Sequence, residues 1–117
     1  MELSLKDLQE LIGNNAPPID NNMVGKYVLV RCRDAGVHCG VLESYSGREC
    51  VLTESRLLWY WKPIKGAFLS SVTEHGLDSS SKVGEPQARI HLTENCAIAQ
   101  CSSAAEASIR GQSNHNS

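Results

Sequence analysis

The chain has 117 residues, a formal net charge of -2 and only 5% aromatic residues. That length suits one domain with a modest core, and the near-neutral balance excludes the basic footprint of a protein that binds nucleic acid as a polymer. No window approaches the ~18 apolar residues of a membrane span, and residues 1–7 lack the apolar stretch of a secretory leader, so the expected setting is cytoplasmic.

In chain order, Ser4 followed by Leu5, Leu8, Leu11 and Ile12 predicts a short amphipathic helix that Gly13 ends. A polar connector with Pro17 and Pro18 follows, where adjacent prolines favour extended backbone. The helix packs either on its own domain or on a neighbouring subunit, and the sequence leaves both open. From Gly25 the texture turns to short Val, Leu and Tyr runs punctuated by glycine, which is strand chemistry. Lys26–Arg33 is the first predicted strand, closed by a turn at Asp34-Ala35-Gly36. Val37–Tyr45 is the second, and Gly40 inside it marks a bulge or a close approach. After a turn at Ser46-Gly47, Arg48–Thr53 makes a third strand, and Ser55–Lys62 continues as a fourth. Connections this short make the neighbours antiparallel. Ala67–His75 then predicts a helix ended by Gly76, Ser79–Gly84 a loose polar loop, and Gln87–Thr93 and Asn95–Gln100 two more strands. Ser103-Ala104-Ala105-Glu106 has capping-box spacing and opens a last short helix.

The expected fold class is therefore α+β: an antiparallel sheet of five to six strands with an N-terminal helix and one or two further short helices. The expected organisation is a helical arm and linker over 1–23, a β-rich ligand-binding core over 24–111 and a disordered tail over 112–117.

The stretch SRLLWYWK, Ser55–Lys62, holds both tryptophans. In a regular strand Leu57, Trp59 and Trp61 share one face, which predicts packing into the core. Arg56, Leu58, Tyr60 and Lys62 share the other, which predicts a wet face carrying guanidinium, ring and ammonium, a combination suited to phosphate and base together. Arg31 and Arg33 leave the first strand on one side, ahead of a turn whose Gly36 exposes backbone amides. With Arg56 they make a candidate anion pocket, because the arginine fork grips phosphate with two parallel hydrogen bonds. Arginines on a wet sheet face are also commonly just solvated.

Other chemistry is weak. Cys32, His38, Cys39 and Cys50 match no compact zinc spacing, so no metal and no cofactor is expected. Cys32, Cys39, Cys50, Cys96 and Cys101 form no paired pattern and are expected as free thiols. No nucleophile elbow, phosphate loop or His-Glu-x-x-His is present, so no catalytic residue is assigned and the expected protein is not an enzyme.

The run Arg31, Ala35-Gly36-Val37, Gly40, Leu42-Glu43-Ser44, Gly47-Arg48-Glu49, Val51-Leu52-Thr53, Arg56 and Trp59-Tyr60-Trp61, followed by Gly66-Ala67 and Leu69-Ser70, resembles the first-described Thoeris anti-defence family of small phage and prophage "sponge" proteins. The resemblance extends over roughly residues 25 to 110, and its most specific part is the Arg-x-x-x-Ala-Gly-Val turn coupled to Trp-Tyr-Trp. It implies a non-catalytic homo-oligomer, from a dimer up to a hexamer, in the cytoplasm of the host bacterium. Its pockets would sequester a cyclic ADP-ribose isomer, with cyclic oligonucleotides as further ligands, and no membrane or nucleic-acid polymer would be a partner. The candidate ligand-binding residues are then Arg31, Arg33, Gly36, Arg56, Tyr60 and Arg110. The rival expectations are a non-catalytic adaptor that binds protein through the same sheet and an enzyme that processes the nucleotide.

Overall fold

The computed structural model describes residues 23–115. The expected helix at Leu5–Ile12 and its linker lie outside them. The described chain is α+β, with six antiparallel strands and two short helices: β1 (Tyr27–Cys32), β2 (Val37–Ser46), β3 (Glu49–Tyr60), α1 (Leu69–His75), β4 (Lys82–Val83), β5 (Gln87–Leu92), β6 (Asn95–Gln100) and α2 (Ser103–Arg110).

The strands run β4-β3-β2-β1-β6, and β5 also pairs with β3, beside β4 on the same edge. This pairing forces the sheet to roll. Both β1 and β3 are antiparallel to β2, so they point the same way, and their partners β6 and β5 point together the other way. β5 and β6 are thus one path, bent at Thr93-Glu94, that crosses from the β3 edge to the β1 edge. In a flat sheet those positions are four strand spacings, about 19 Å, apart. The three Cα steps from Leu92 to Asn95 reach at most about 11 Å. The sheet therefore curls into an incomplete barrel.

The β2–β3 hairpin tip folds over to complete the curl. The Asn95 backbone N–H and its side-chain amide both donate to Arg48 O, at 2.9 and 2.6 Å. The roll divides the core in two. Val28, Val30, Leu42, Cys50, Leu52 and Leu92 fill the barrel interior. On the opposite side Tyr27, Leu29, Cys39, Leu58 and Cys101 pack beneath the helices, against Val72, Ala105 and Ile109.

β3 serves both clusters because its alternation breaks. Cys50 and Leu52 belong to the interior, whereas Leu58 belongs to the helix side. Between them Glu54 has φ +53°, the left-handed region that non-glycine residues rarely occupy. That single bulge residue reverses which face the later side chains take. The phase expected for Ser55–Lys62 is corrected accordingly: Arg56 and Leu58 are buried, and Leu57 and Trp59 are exposed. Trp61 packs against the helix-side core as expected, after a second register shift between Leu58 and Tyr60.

Four smaller expectations also change. The third and fourth predicted strands are one continuous strand. The loose loop over 79–84 contains β4, and the tail expected to be disordered from 112 is fastened through 115, where the His115 N–H donates to Val83 O at 2.8 Å. The cap of α2 is Ser102, whose hydroxyl accepts the Ala105 N–H at 3.0 Å, one residue before the predicted start.

His38 points into the barrel and carries a pH prediction. Its Nε2–H donates to Ala35 O at 2.9 Å, while Nδ1 is buried with no partner among the described residues. Burial holds its pKa below the ordinary 6.5, because a proton on Nδ1 would place an unsolvated charge in the barrel. The unfolded chain takes up that proton below about pH 6.5, whereas the folded chain resists it until the lower folded pKa is reached. Stability is thus complete above pH 6.5 and falls as pH drops through that window. Urea midpoints measured from about pH 7.5 to about pH 5.0 are expected to decline, and His38→Gln is expected to flatten the decline.

Candidate functional site

The six candidate residues do not converge. Arg56 departs furthest from expectation. Its exposure is 3%, and its guanidinium is a structural hub rather than part of a wet face. Nε donates to Gly84 O at 2.8 Å, Nη1 to Ile109 O and Gln112 O at 2.9 Å each, and Nη2 to Asn114 Oδ1 at 2.8 Å. A longer contact of 3.4 Å reaches Arg110 O. The carbonyls at a helix C-terminus lack intrahelical donors and carry the negative end of the helix dipole. Arg56 supplies both the donors and the positive charge, so it caps α2 from the neighbouring sheet. Burial lowers its pKa from the ordinary arginine value.

Arg110 sits on the exposed end of α2. Its Nη1 bonds Glu54 Oε1 at 2.6 Å and its Nε bonds Glu106 Oε2 at 2.8 Å. The Glu54 hydrogen bond, followed by that to Glu106, raises its pKa. With two carboxylates on one guanidinium, its charge is already matched. The same guanidinium lies 4.7 Å from the centroid of the Tyr27 ring, whose buried hydroxyl has no hydrogen-bond partner among the described residues. Burial pushes the Tyr27 phenol well above its ordinary pKa. Arg56, Arg110, Tyr27, Glu54 and Pro86 line a cleft of about 200 Å³, so two of the six candidates do meet.

The other four lie elsewhere. Arg31 is exposed and shares the face of Leu29, where Leu29, Leu69, Ser70, Thr73, Ala97 and Ala99 join it around a cleft of about 250 Å³. Among the described residues its side chain makes no hydrogen bond or ion pair. Arg33 and Gly36 flank the β1–β2 turn, where Arg33 N donates to Glu94 O at 3.2 Å and Gly36 takes φ +90°. Tyr60 is exposed at the end of β3, opposite Lys82.

Sequence reasoning missed a second aromatic site. Trp59, expected in the core, is 58% exposed. The His115 ring stacks on it with centroids 4.9 Å apart and planes 24° from parallel, and Lys82 Nζ lies 5.0 Å from the ring centroid. Nothing local in the sequence marks this site, because it depends on the Glu54 bulge and on the docking of the tail.

Among the described residues no three His, Cys, Asp or Glu side chains group as metal ligands, and no helix is long and apolar enough to cross a membrane. All five cysteines are free thiols, with Cys39 and Cys101 side by side under the helices.

Comparison with known proteins gives one result. No curated protein and no solved structure matches the chain. One family model does match, over residues 25–109, a span that takes in all six strands and nearly all of α2. The chain belongs to the family described as a domain of unknown function, DUF6948.

Proposed function

We propose that this chain is a phage-type anti-defence protein that binds and sequesters a cyclic nucleotide-derived immune signal, of the cyclic ADP-ribose class, without cleaving it. The reading grows from the sequence resemblance, and the observation that carries it is the Arg31 guanidinium, which has no partner among the described residues, beside an apolar cleft. Of the arginines assigned to the pocket, Arg56 and Arg110 spend their donors inside the protein, whereas Arg31, without a partner among the described residues, offers its fork to an anion. The cleft has apolar walls for a ribose or base, with Ser70 and Thr73 also lining it. At about 250 Å³ it is smaller than the usual enclosed ligand site. Sequestration of so small a ligand therefore calls for a second copy of the chain to supply the missing walls, in a homo-oligomer within the host bacterial cytoplasm. No catalytic role is assigned to any residue.

Arg31→Ala is expected to weaken binding of a cyclic ADP-ribose isomer by more than about 2 kcal/mol, because it removes charge-assisted hydrogen bonds to the ligand. Its thermal midpoint should stay near wild type, because exposed substitutions away from special features shift stability by less than about 0.5 kcal/mol. Calorimetry and a melting curve read the two quantities, and wild-type affinity in the mutant removes Arg31 from the site. Heat-denaturing the complex and recovering unaltered ligand distinguishes sequestration from turnover.

A second reading, a protein-binding adaptor, is favoured by Phe68, which is 73% exposed and immediately precedes the cleft residue Leu69, and by exposed Ile64. Thermal stabilisation by host lysate but not by nucleotide supports it instead.

A further inference from the structure

Trp59 keeps most of its indole in water, although it follows buried Leu58 in the middle of the β3–β4 ladder. With Leu57, Gly84 and His115 it lines a cleft of about 260 Å³. One ammonium, Lys82 Nζ, stands 5.0 Å from the ring centroid. The site thus combines a broad aromatic face, an apolar floor and a positive charge, the combination that holds a flat anionic ring.

In the free protein that face is covered by the chain itself. His115 is brought to it by a strap whose Gln112 O and Asn114 Oδ1 are gripped by Arg56 and whose His115 N–H bonds Val83 O. The imidazole is an imperfect occupant. Its Nε2 is withdrawn from water with no hydrogen-bond partner among the described residues, and a polar atom desolvated without compensation costs free energy. A ring whose polar edge reaches solvent or backbone would cover the same indole without that cost.

We propose that the Trp59 face is a second binding site, separate from the Arg31 cleft, for a planar aromatic anion of the nucleotide class, and that the ligand ring displaces His115. The ligand class rests on the sequestration reading; the stacking surface and its displaceable cover rest on the geometry alone. Lys82 lies where the charge of the ligand would be neutralised, and Gly84, without a side chain, leaves room at the floor. Gly36 approaches the same floor from the β1–β2 turn, where a Cβ would lie 3.6 Å from Leu57 Cδ1.

The test uses the full chain and ADP as probe, read by calorimetry and by quenching of tryptophan fluorescence, with inorganic phosphate as a control that can engage Lys82 but cannot stack. Trp59→Ala is expected to weaken ADP binding at least about tenfold, and Trp59→Tyr to retain most of it. His115→Ala is expected to tighten binding by about threefold to tenfold, because the ligand no longer competes with an aromatic pair. All three substitutions sit at exposed or partly exposed positions, and melting curves confirm that each variant folds. Unchanged affinity in Trp59→Ala, or no ADP binding at millimolar concentration in wild type and His115→Ala alike, overturns the site. Weaker binding in His115→Ala overturns displacement and with it the proposal. If cyclic ADP-ribose isomers fail to bind while ADP still quenches Trp59, the sequestration reading falls and this site stands. If the isomers bind at Arg31 while ADP leaves Trp59 unquenched, the reverse holds.

Discussion

Replacing Arg56 with alanine is expected to destabilise the protein by about 3 to 5 kcal/mol, which is large against the roughly 5 to 15 kcal/mol of a typical domain. The substitution removes no carboxylate partner, since Arg56 has none within bonding distance among the described residues. What it strands is a set of acceptors: Gly84 O, Gln112 O and Asn114 Oδ1 lose the guanidinium donor, and Ile109 O is left with only weaker backbone contacts such as the Gln112 N–H at 3.3 Å. Buried acceptors left unsatisfied cost about 1 to 3 kcal/mol each when water cannot reach them. Those nearest the strap can rehydrate, and those at the end of α2 are the harder to reach. Both effects act on one region, because the hub joins β3, the loop after β4, the end of α2 and the strap. Arg56→Lys is expected to recover only a minor part, because one ammonium cannot reach acceptors arranged on three sides of a planar fork. Urea unfolding gives the difference. A loss below about 1 kcal/mol in Arg56→Ala would show that the carbonyls find other donors and that the cap is dispensable. The outcome also bears on the proposed function: with Arg56 structural, weaker ligand binding in this variant would report a damaged fold, whereas Arg31→Ala, at an exposed position, tests the proposed ligand contact without that damage.

Much of the fold is legible from local pattern. The strands at Tyr27–Cys32, Val37–Ser46 and Asn95–Gln100, the helix ended by Gly76 and the capped last helix all follow from periodicity, turn residues and caps. What local pattern does not carry is the phase of β3. The apolar character of the Leu57, Trp59 and Trp61 face points it inward and Arg56 outward, but the bulge at Glu54 turns the Arg56 and Leu58 face onto the helix side, where it is buried, and leaves Leu57 and Trp59 exposed. Glutamate carries no local signal for a bulge as glycine or asparagine would. The bulge is imposed by tertiary demands, since β3 must contribute Leu52 to the barrel interior and Leu58 to the helix side. The candidate site fails to assemble for the same reason. Arg31, Arg33 and Gly36 lie at the end of the sheet where the strand and turn place them, but Arg56 is turned inward, and the tail that supplies His115 reads only as polar sequence. Residue type signals that arginines and rings matter; it does not signal which of them the fold consumes for its own stability.

The roll and the bulge meet at Gly40, where the second large effect is expected. A Cβ there would lie 2.8 Å from Thr53 O and 3.0 Å from Ser55 Cα, both backbone atoms of β3. Side chains that clash can rotate away; a strand held on both edges by β2, β4 and β5 cannot. Gly40→Ala is therefore expected to cost about 2 to 3 kcal/mol, and Gly40→Val more, through overpacking that pushes β3 away from β2. The displaced segment, Thr53 to Ser55, contains the Glu54 bulge and precedes Arg56, so the shift also loosens the grip on α2. Gly40→Ala and Arg56→Ala should consequently combine to less than the sum of their separate effects, the mark of two changes acting on one element. Gly47 supplies the control. It has φ +58°, and a Cβ there would meet nothing within 4 Å, so Gly47→Asn, which tolerates that backbone, should be nearly neutral. Urea midpoints for the three single variants and the double variant measure all of this. A fully additive double variant, or a Gly40→Ala as stable as Gly47→Asn, would mean that β2 and β3 part without disturbing the hub, and that the close approach at Gly40 is not what sets the geometry of the bulge.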